Sequence, residues 1–181
     1  FELAVDTILH AKHIYIIGIR SCAPLASFMA FYFTLMFPNV HLIQTSSSSE
    51  IFEQMVRIGK EDVIIGISFP RYSMRTLKAM EFANNRSAKV ITLTDSVHSP
   101  MNLYSSCNLI ADSDMASIVD SLVAPLSVIN ALIVALCMKK QNEVAKTLEM
   151  LEDIWDEYQV YENDEINYID DSIKMRYGKV G

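Results

Sequence analysis

The chain has 181 residues, of which 51% are hydrophobic and 20% are charged. This balance excludes a disordered or collagen-like chain and suits one globular domain with its own core. The net charge of −7 makes the chain a poor candidate for binding DNA or an anionic membrane by itself. Cys22, Cys107 and Cys137 are widely spaced and form neither a disulfide framework nor a zinc motif, which favours a reducing, cytoplasmic setting.

The start of the chain and its most apolar stretch bear on its location. The chain begins with Phe1 and shows no basic, apolar-cored leader, so we expect a fragment of a longer cytoplasmic protein. The most apolar stretch, residues 122–138, is too short as a helix for a hydrocarbon core of about 30 Å. It also contains Pro125, Ser127 and Asn130. This stretch therefore predicts a buried helix and no membrane contact, with a membrane span as the weaker alternative.

Short β-branched runs alternate with longer helical stretches along the chain. The predicted strands are residues 14–17, 40–43, 63–67, 89–94 and 108–111, and the predicted helices are 23–37, 50–58, 73–84, 117–140 and 142–158. Such alternation is typical of a parallel sheet covered by helices. We predict a three-layer, doubly wound α/β fold with five parallel strands in the order 2-1-3-4-5. A single domain is expected over 1–181, with its core over about 11–140 and a C-terminal helix over about 142–160.

The predicted helix over residues 23–37 is apolar on nearly all of its faces. A helix without a polar face must be covered on all sides, which predicts a subunit interface. We expect a homodimer, and a tetramer remains open.

Two polar loops follow neighbouring strands of the predicted sheet. Ligands of open parallel sheets bind beyond the carboxyl ends of the strands, where the winding reverses, which here is between the first and third strands. Arg20 and Ser21 follow the first strand, and Ser68, Arg71 and Ser73 follow the third. Each loop leads into the N-terminus of a predicted helix. Hydroxyls, guanidinium groups and free backbone N–H groups together suit a phosphate.

Each of these residues also has a purely structural explanation. A serine before a helix is first of all an N-cap, which applies to Ser21 and Ser73. Arg20 and Arg71 could be ordinary surface charges. Ser68 is harder to explain in this way, because an apolar residue would be favoured at the end of a buried strand.

Further candidates follow the second and fourth strands. Ser47, within the serine run 46–49, could reach sugar hydroxyls, or the run could be a polar loop with a helix cap. Ser47 and Glu50 fit a capping box, which explains Glu50 without catalysis. Asp95 and Ser96 could line the pocket or form a turn through local side-chain hydrogen bonds.

Several segments resemble SIS (sugar isomerase) domains. Residues 14–21, Ile-Tyr-Ile-Ile-Gly-Ile-Arg-Ser, resemble the first strand and loop of that family. Residues 63–73, Val-Ile-Ile-Gly-Ile-Ser-Phe-Pro-Arg-Tyr-Ser, resemble its second signature, usually Ser-x-Ser-Gly-x-Thr. The Ser-Phe-Pro-Arg-Tyr-Ser form is similar to the SIS domain of RpiR-type bacterial transcriptional regulators. Residues 88–96 with 99–100, and residues 120–126 extending through 130–132, resemble the same group, so the resemblance covers about residues 11–138.

The resemblance implies an effector-binding domain that senses a phosphorylated sugar and signals to an N-terminal helix-turn-helix domain outside this chain. Contact with DNA is expected only through that other domain. By the resemblance, Ser68 and Ser73 match phosphate-binding hydroxyl positions, and Ser21 matches the hydroxyl of the first loop. Pro70 replaces the second serine of the signature and removes one donor. We infer that Arg71 supplies a compensating contact.

Two alternatives compete with the sensor. An aldose–ketose phosphosugar isomerase needs a positioned acid or base, for which Glu50, His41 and His98 are the candidates. Another doubly wound binder is the second alternative. A receiver would need an aspartate at the position of Ser68, and a flavodoxin would need aromatic residues on both sides of its flavin, for which only Tyr72 is a candidate. The four histidines show no metal spacing. We therefore expect no cofactor, no metal and no catalytic residue.

Overall fold

The computed structural model describes residues 1–44, 47–113 and 121–161. The helices are α1 Glu2–Leu9, α2 Ala23–Met36, α3 Ser48–Gln54, α4 Met74–Asn85, α5 Val123–Lys139 and α6 Gln141–Glu157. The strands are β1 Ile14–Gly18, β2 Val40–Ile43, β3 Val63–Ile67, β4 Lys89–Thr94 and β5 Cys107–Ile110. Two 3-10 turns, Arg20–Cys22 and Pro100–Tyr104, lie in the loops after β1 and β4.

The five strands form one sheet in the order β2-β1-β3-β4-β5. Every neighbouring pair is parallel, which confirms the predicted fold class and strand order. All residues of β1 and β3 are buried, because helices cover these central strands on both faces. The predicted bounds of β2, β3 and β4 match the structure, whereas β5 begins and ends one residue earlier than predicted.

The helices divide between the two faces of the sheet. On one face, α2 packs on β1 and β2 and against α5, while α1 contacts α5 and β5. On the other face, Ile51 of α3, Met55 just after it and Met80 of α4 join a core cluster that includes Tyr15 and Ile64 of the sheet. The result is the expected arrangement of three layers.

Several helix boundaries differ from their predictions. Helix α1 has no predicted counterpart. Its residues Ala4, Val5 and Ile8 are buried in the core, so packing against the rest of the domain stabilises this short helix. Helix α3 ends at Gln54, four residues before the predicted end. The predicted start of α5 at residue 117 lies outside the described residues, and so does residue 120 of the sequence resemblance.

The chain separates into two compact units, Phe1–Gln141 and Asn142–Gly181. The single domain over 1–181 stays a prediction. Among the described residues, no single helix is long and apolar enough to cross a membrane, and only α5 and α6 counted together pass that test.

Candidate functional site

The loops after β1 and β3 lie side by side at the carboxyl edge of the sheet. Gly18, the last residue of β1, pairs with Ile67, the last residue of β3. Both loops therefore leave the sheet at the same level from adjacent strands, about 5 Å apart. The predicted meeting of these loops at the reversal point is thus what the backbone shows.

The loop after β1 turns sharply into α2. Arg20 has a φ of 60°, in the left-handed region that non-glycine residues rarely adopt. Gly18 allows this turn, because a Cβ there would lie 2.6 Å from the carbonyl oxygen of Cys22. Ser21 is exposed within the 3-10 turn and does not cap α2, whose N-cap is Cys22 without a side-chain hydrogen bond. Capping therefore does not explain Ser21.

The loop after β3 is closed by its two serines. The Ser68 side chain is buried, and its Oγ accepts the backbone N–H of Ser73 at 3.0 Å. Ser73 is the N-cap of α4, and its Oγ accepts the N–H of Thr76 at 3.3 Å. Both hydroxyls thus shape the loop, and each keeps its own proton for donation. Between them, Arg71 is exposed and has a φ of 66°, so each loop holds one arginine in the left-handed region.

Asp95 joins the loop after β3 to the end of β4. The Tyr72 hydroxyl lies 2.9 Å and 3.2 Å from the two carboxylate oxygens of Asp95. The Thr94 hydroxyl lies 3.0 Å from Asp95 Oδ1 and 2.9 Å from Ser99 Oγ. Burial, followed by the hydrogen bond to Asp95, raises the pKa of Tyr72 above its ordinary value. Sequence reasoning missed the roles of Tyr72, Thr94 and Ser99.

Ser47 and Ser96 have local roles. Ser47 is the N-cap residue of α3, but its side chain does not cap the helix, and its Oγ lies 2.8 Å from that of Ser49. The hydrogen bond from the start of α3 to the Ser47 hydroxyl that the predicted capping box requires is therefore not formed. Residue 46 lies outside the described residues. Ser96 Oγ accepts the N–H of His98 at 3.2 Å, which is the turn role left open by the sequence.

A cavity of about 220 Å³ opens on the β2 side of β1. Arg20 and Gln44 are among its lining residues, together with apolar side chains such as Ile43 and Ile51. The loop after β3 lies on the opposite side of β1. Of the predicted site residues, Arg20 lines this cavity, whereas Ser68, Arg71 and Ser73 follow β3 on the other side of β1.

His41 lies away from these loops. Its Nε2 is 3.1 Å from Nδ1 of His13, which precedes β1 at the amino edge of the sheet, and its ring stacks on Tyr15. Partial desolvation and the neighbouring His13 lower the pKa of His41. His41 is therefore excluded as the acid or base of an isomerase at the carboxyl edge.

The chemistry of the carboxyl edge suits an anion. The N-termini of α2 and α4 bring partial positive charge to the two loops. Arg20 and Arg71 add guanidinium groups, and Ser21 and Ser73 add hydroxyls at partly open positions. Pro70 supplies no backbone N–H to this edge. In the described part of the chain, no group of three or more histidine, cysteine or carboxylate side chains could hold a metal ion. The fold is that of a doubly wound α/β domain.

Comparison with known proteins gives the family. The model of the SIS domain family matches residues 7–135, which is well over half of the chain. The chain therefore belongs to the SIS domain family, as its sequence resemblance indicated.

Individual relatives add detail. The chain is 32% identical over 98 residues to an uncharacterized HTH-type transcriptional regulator of Caldanaerobacter subterraneus subsp. tengcongensis, covering 52% of this chain and 35% of that protein. The fold is shared with the sugar isomerase domain of an RpiR transcription factor from Sphaerobacter thermophilus, at 23% identity and a TM-score of 0.79, covering 84% of each chain. It is also shared with the Vibrio vulnificus NanR protein complexed with ManNAc-6P, at 18% identity and a TM-score of 0.73, covering 84% of this chain and 60% of that one. The match to the HTH-type regulator therefore covers only about a third of that regulator's length.

Proposed function

We propose that this chain is the effector-binding domain of an RpiR-type transcriptional regulator and that it binds a phosphorylated sugar. The observation that carries the proposal is the pairing of the two loops after β1 and β3, each with an arginine and a hydroxyl beside a helix N-terminus. Arg20, Ser21, Ser68, Arg71 and Ser73 then surround the phosphate.

The relatives support a sensor over an enzyme. The curated relative is an HTH-type regulator, and two of the similar folds belong to an RpiR transcription factor and to a NanR protein with a bound phosphosugar. Ser47, Asp95 and Ser96 are proposed to stand around the sugar.

Signalling by such a domain requires that the ligand favours one assembly over another. We propose a homodimer joined through α2, on which Phe31 and Tyr32 are exposed. Phosphosugar binding would shift the arrangement of the two subunits and of the DNA-binding domains attached to them.

Isothermal titration calorimetry tests the proposal with hexose, amino-sugar and sugar-acid phosphates. We expect micromolar to millimolar binding by at least one of them and a loss of about tenfold or more in Arg71→Ala, because a charge-assisted hydrogen bond contributes about 1.5–3 kcal/mol. Lys12→Ala is the matched control, since it removes the same charge from an exposed pair with Glu61 at the amino edge.

Two results would contradict this proposal. Silence across the whole panel would remove the phosphosugar ligand, and unchanged affinity in Arg71→Ala would remove Arg71 from the site.

The alternative function is an aldose–ketose phosphosugar isomerase. One observation favours it, namely that a similar fold at a TM-score of 0.64 and 16% identity is a putative sugar-phosphate isomerase from Listeria monocytogenes. With His41 at the amino edge, Glu50 and His98 remain as candidate bases. Incubation with a bound sugar phosphate in heavy water separates the two functions, because an isomerase would place deuterium on the carbon beside the carbonyl.

A further inference from the structure

Asp95 is a half-buried carboxylate beside the proposed phosphate site. It directly follows β4, the neighbour of β3, and Ser68 donates its backbone N–H to the carbonyl oxygen of Leu93 at 3.1 Å. Asp95 thus lies only slightly beyond the level of Ser68. Because Tyr72 follows Arg71 directly and its hydroxyl reaches Asp95, the carboxylate and the arginine loop are tied together.

The Asp95 carboxylate is held in a fixed orientation. Tyr72 approaches from the loop after β3, and Thr94 approaches from β4 itself. Thr94 is fully buried and lies 2.9 Å from Ser99 Oγ, which in turn caps the 3-10 turn Pro100–Tyr104. The support for Asp95 is therefore anchored in the core. A carboxylate offers about four lone-pair sites, so the hydroxyls of Tyr72 and Thr94 leave others open to a ligand.

We propose that Asp95, positioned by Tyr72, determines which class of phosphosugar binds. Its carboxylate accepts hydrogen bonds from the hydroxyl groups of a sugar whose phosphate is its only acidic group, called the neutral member below, and it repels a phosphosugar that carries a second acidic group. This inference rests on the proposed function, because it assumes that the phosphate binds at the adjacent loops. The anion-binding groups are the arginines and helix N-termini of those loops, whereas Asp95 adds negative charge on the β4 side. A carboxylate on the ligand would therefore meet a like charge when the phosphate is in place.

Matched ligand pairs test the selectivity by isothermal titration calorimetry. The probes are inorganic phosphate, glucose 6-phosphate with 6-phosphogluconate, and ribose 5-phosphate with 5-phosphoribonate. The protein should bind the neutral member of a pair about tenfold or more tightly than the acid, which is the scale of one hydrogen bond to a charged group. Inorganic phosphate should bind less tightly than the neutral member.

Variants of Asp95 and Tyr72 separate a role in ligand recognition from a role in folding. In Asp95→Asn the preference for the neutral member should fall to about threefold or less, while the affinity for inorganic phosphate stays the same or rises. Tyr72→Phe should shift the preference in the same direction, because it keeps the ring and releases the carboxylate. Asp6→Asn is the matched control, since it removes one negative charge at the amino edge and should keep the selectivity of the unmodified chain.

Each other outcome overturns the inference. Equal affinity for the neutral and acidic members, or a uniform loss for all probes in both variants, shows that Asp95 and Tyr72 only support the fold. If neither these probes nor the amino-sugar phosphates of the wider panel bind to the unmodified chain, the proposed function fails and this inference fails with it. Binding without selectivity overturns this inference alone.

Discussion

Two fully buried threonines differ in how their hydroxyls are satisfied. In the described part of the chain, the Oγ1 of Thr76 has no hydrogen-bond partner. The Oγ1 of Thr92 lies 2.7 Å from Oδ1 of Asn102 and 3.1 Å from Oδ1 of Asn108. A buried hydroxyl without a partner costs free energy, whereas removal of a bonded one leaves its partners unsatisfied.

Replacement by valine, which has nearly the same shape, should therefore act in opposite directions. Thr76→Val should raise the free energy of unfolding by up to about 1 kcal/mol, and Thr92→Val should lower it by about 1–3 kcal/mol. Urea denaturation followed by circular dichroism measures both. A loss of stability in Thr76→Val would mean that its hydroxyl is satisfied in solution.

At the scale of the element, glycines let two helices approach the sheet closely. A Cβ on Gly18 would lie 2.6 Å from the backbone carbonyl oxygen of Cys22 and 3.1 Å from the Cβ of Ala26 on α2. A Cβ on Gly66 would meet mainly the side chain of Met80 on α4. Backbone cannot move aside without shifting α2, whereas a methionine side chain can change rotamer.

The two alanine variants should therefore differ in stability. Gly18→Ala should lower the free energy of unfolding by about 1–3 kcal/mol, and Gly66→Ala by clearly less. Thermal and urea denaturation provide the measurement. Equal losses in both variants would contradict the role assigned to the backbone contact at Gly18.

At the scale of the whole molecule, the lowered pKa of His41 links stability to pH. The pKa of His41 is lowered in the fold, so the unfolded chain binds more protons between that lowered pKa and the ordinary value of 6.5. Stability therefore rises with pH across this window and is lost as the pH falls through it.

We expect His41→Gln to reduce the loss of stability between about pH 7.5 and about pH 5.0. His13→Gln should act in the same direction but less strongly, because it removes only the neighbouring imidazole. Urea midpoints at the two pH values measure the effect. Midpoints that shift with pH as much in His41→Gln as in the unmodified chain would argue against this linkage.

Much of the architecture was predictable because the signals are local. The β-branched runs of β1 and β3 are buried on both faces, so they appear in the sequence as unbroken apolar stretches. The N-cap role of Ser73 follows from its place before a helical stretch. Helix α1 was missed although Ala4, Val5 and Ile8 stand at helical spacing, because a helix of eight residues repeats that pattern only about twice.

The sequence alone thus determined the alternation of strands and helices and the polar loops that follow β1 and β3, because periodicity and turn residues act over a few positions. The strand order was predicted as a usual order of doubly wound sheets, and the structure confirms it. Only the tertiary structure decided which distant side chains meet. Tyr72 reaches Asp95 across 23 positions of the chain, and His13 reaches His41 across 28. The left-handed backbone of Arg20 and Arg71 was also decided there, because the packing of α2 and α4 on adjacent strands imposes these turns on residues that do not prefer them.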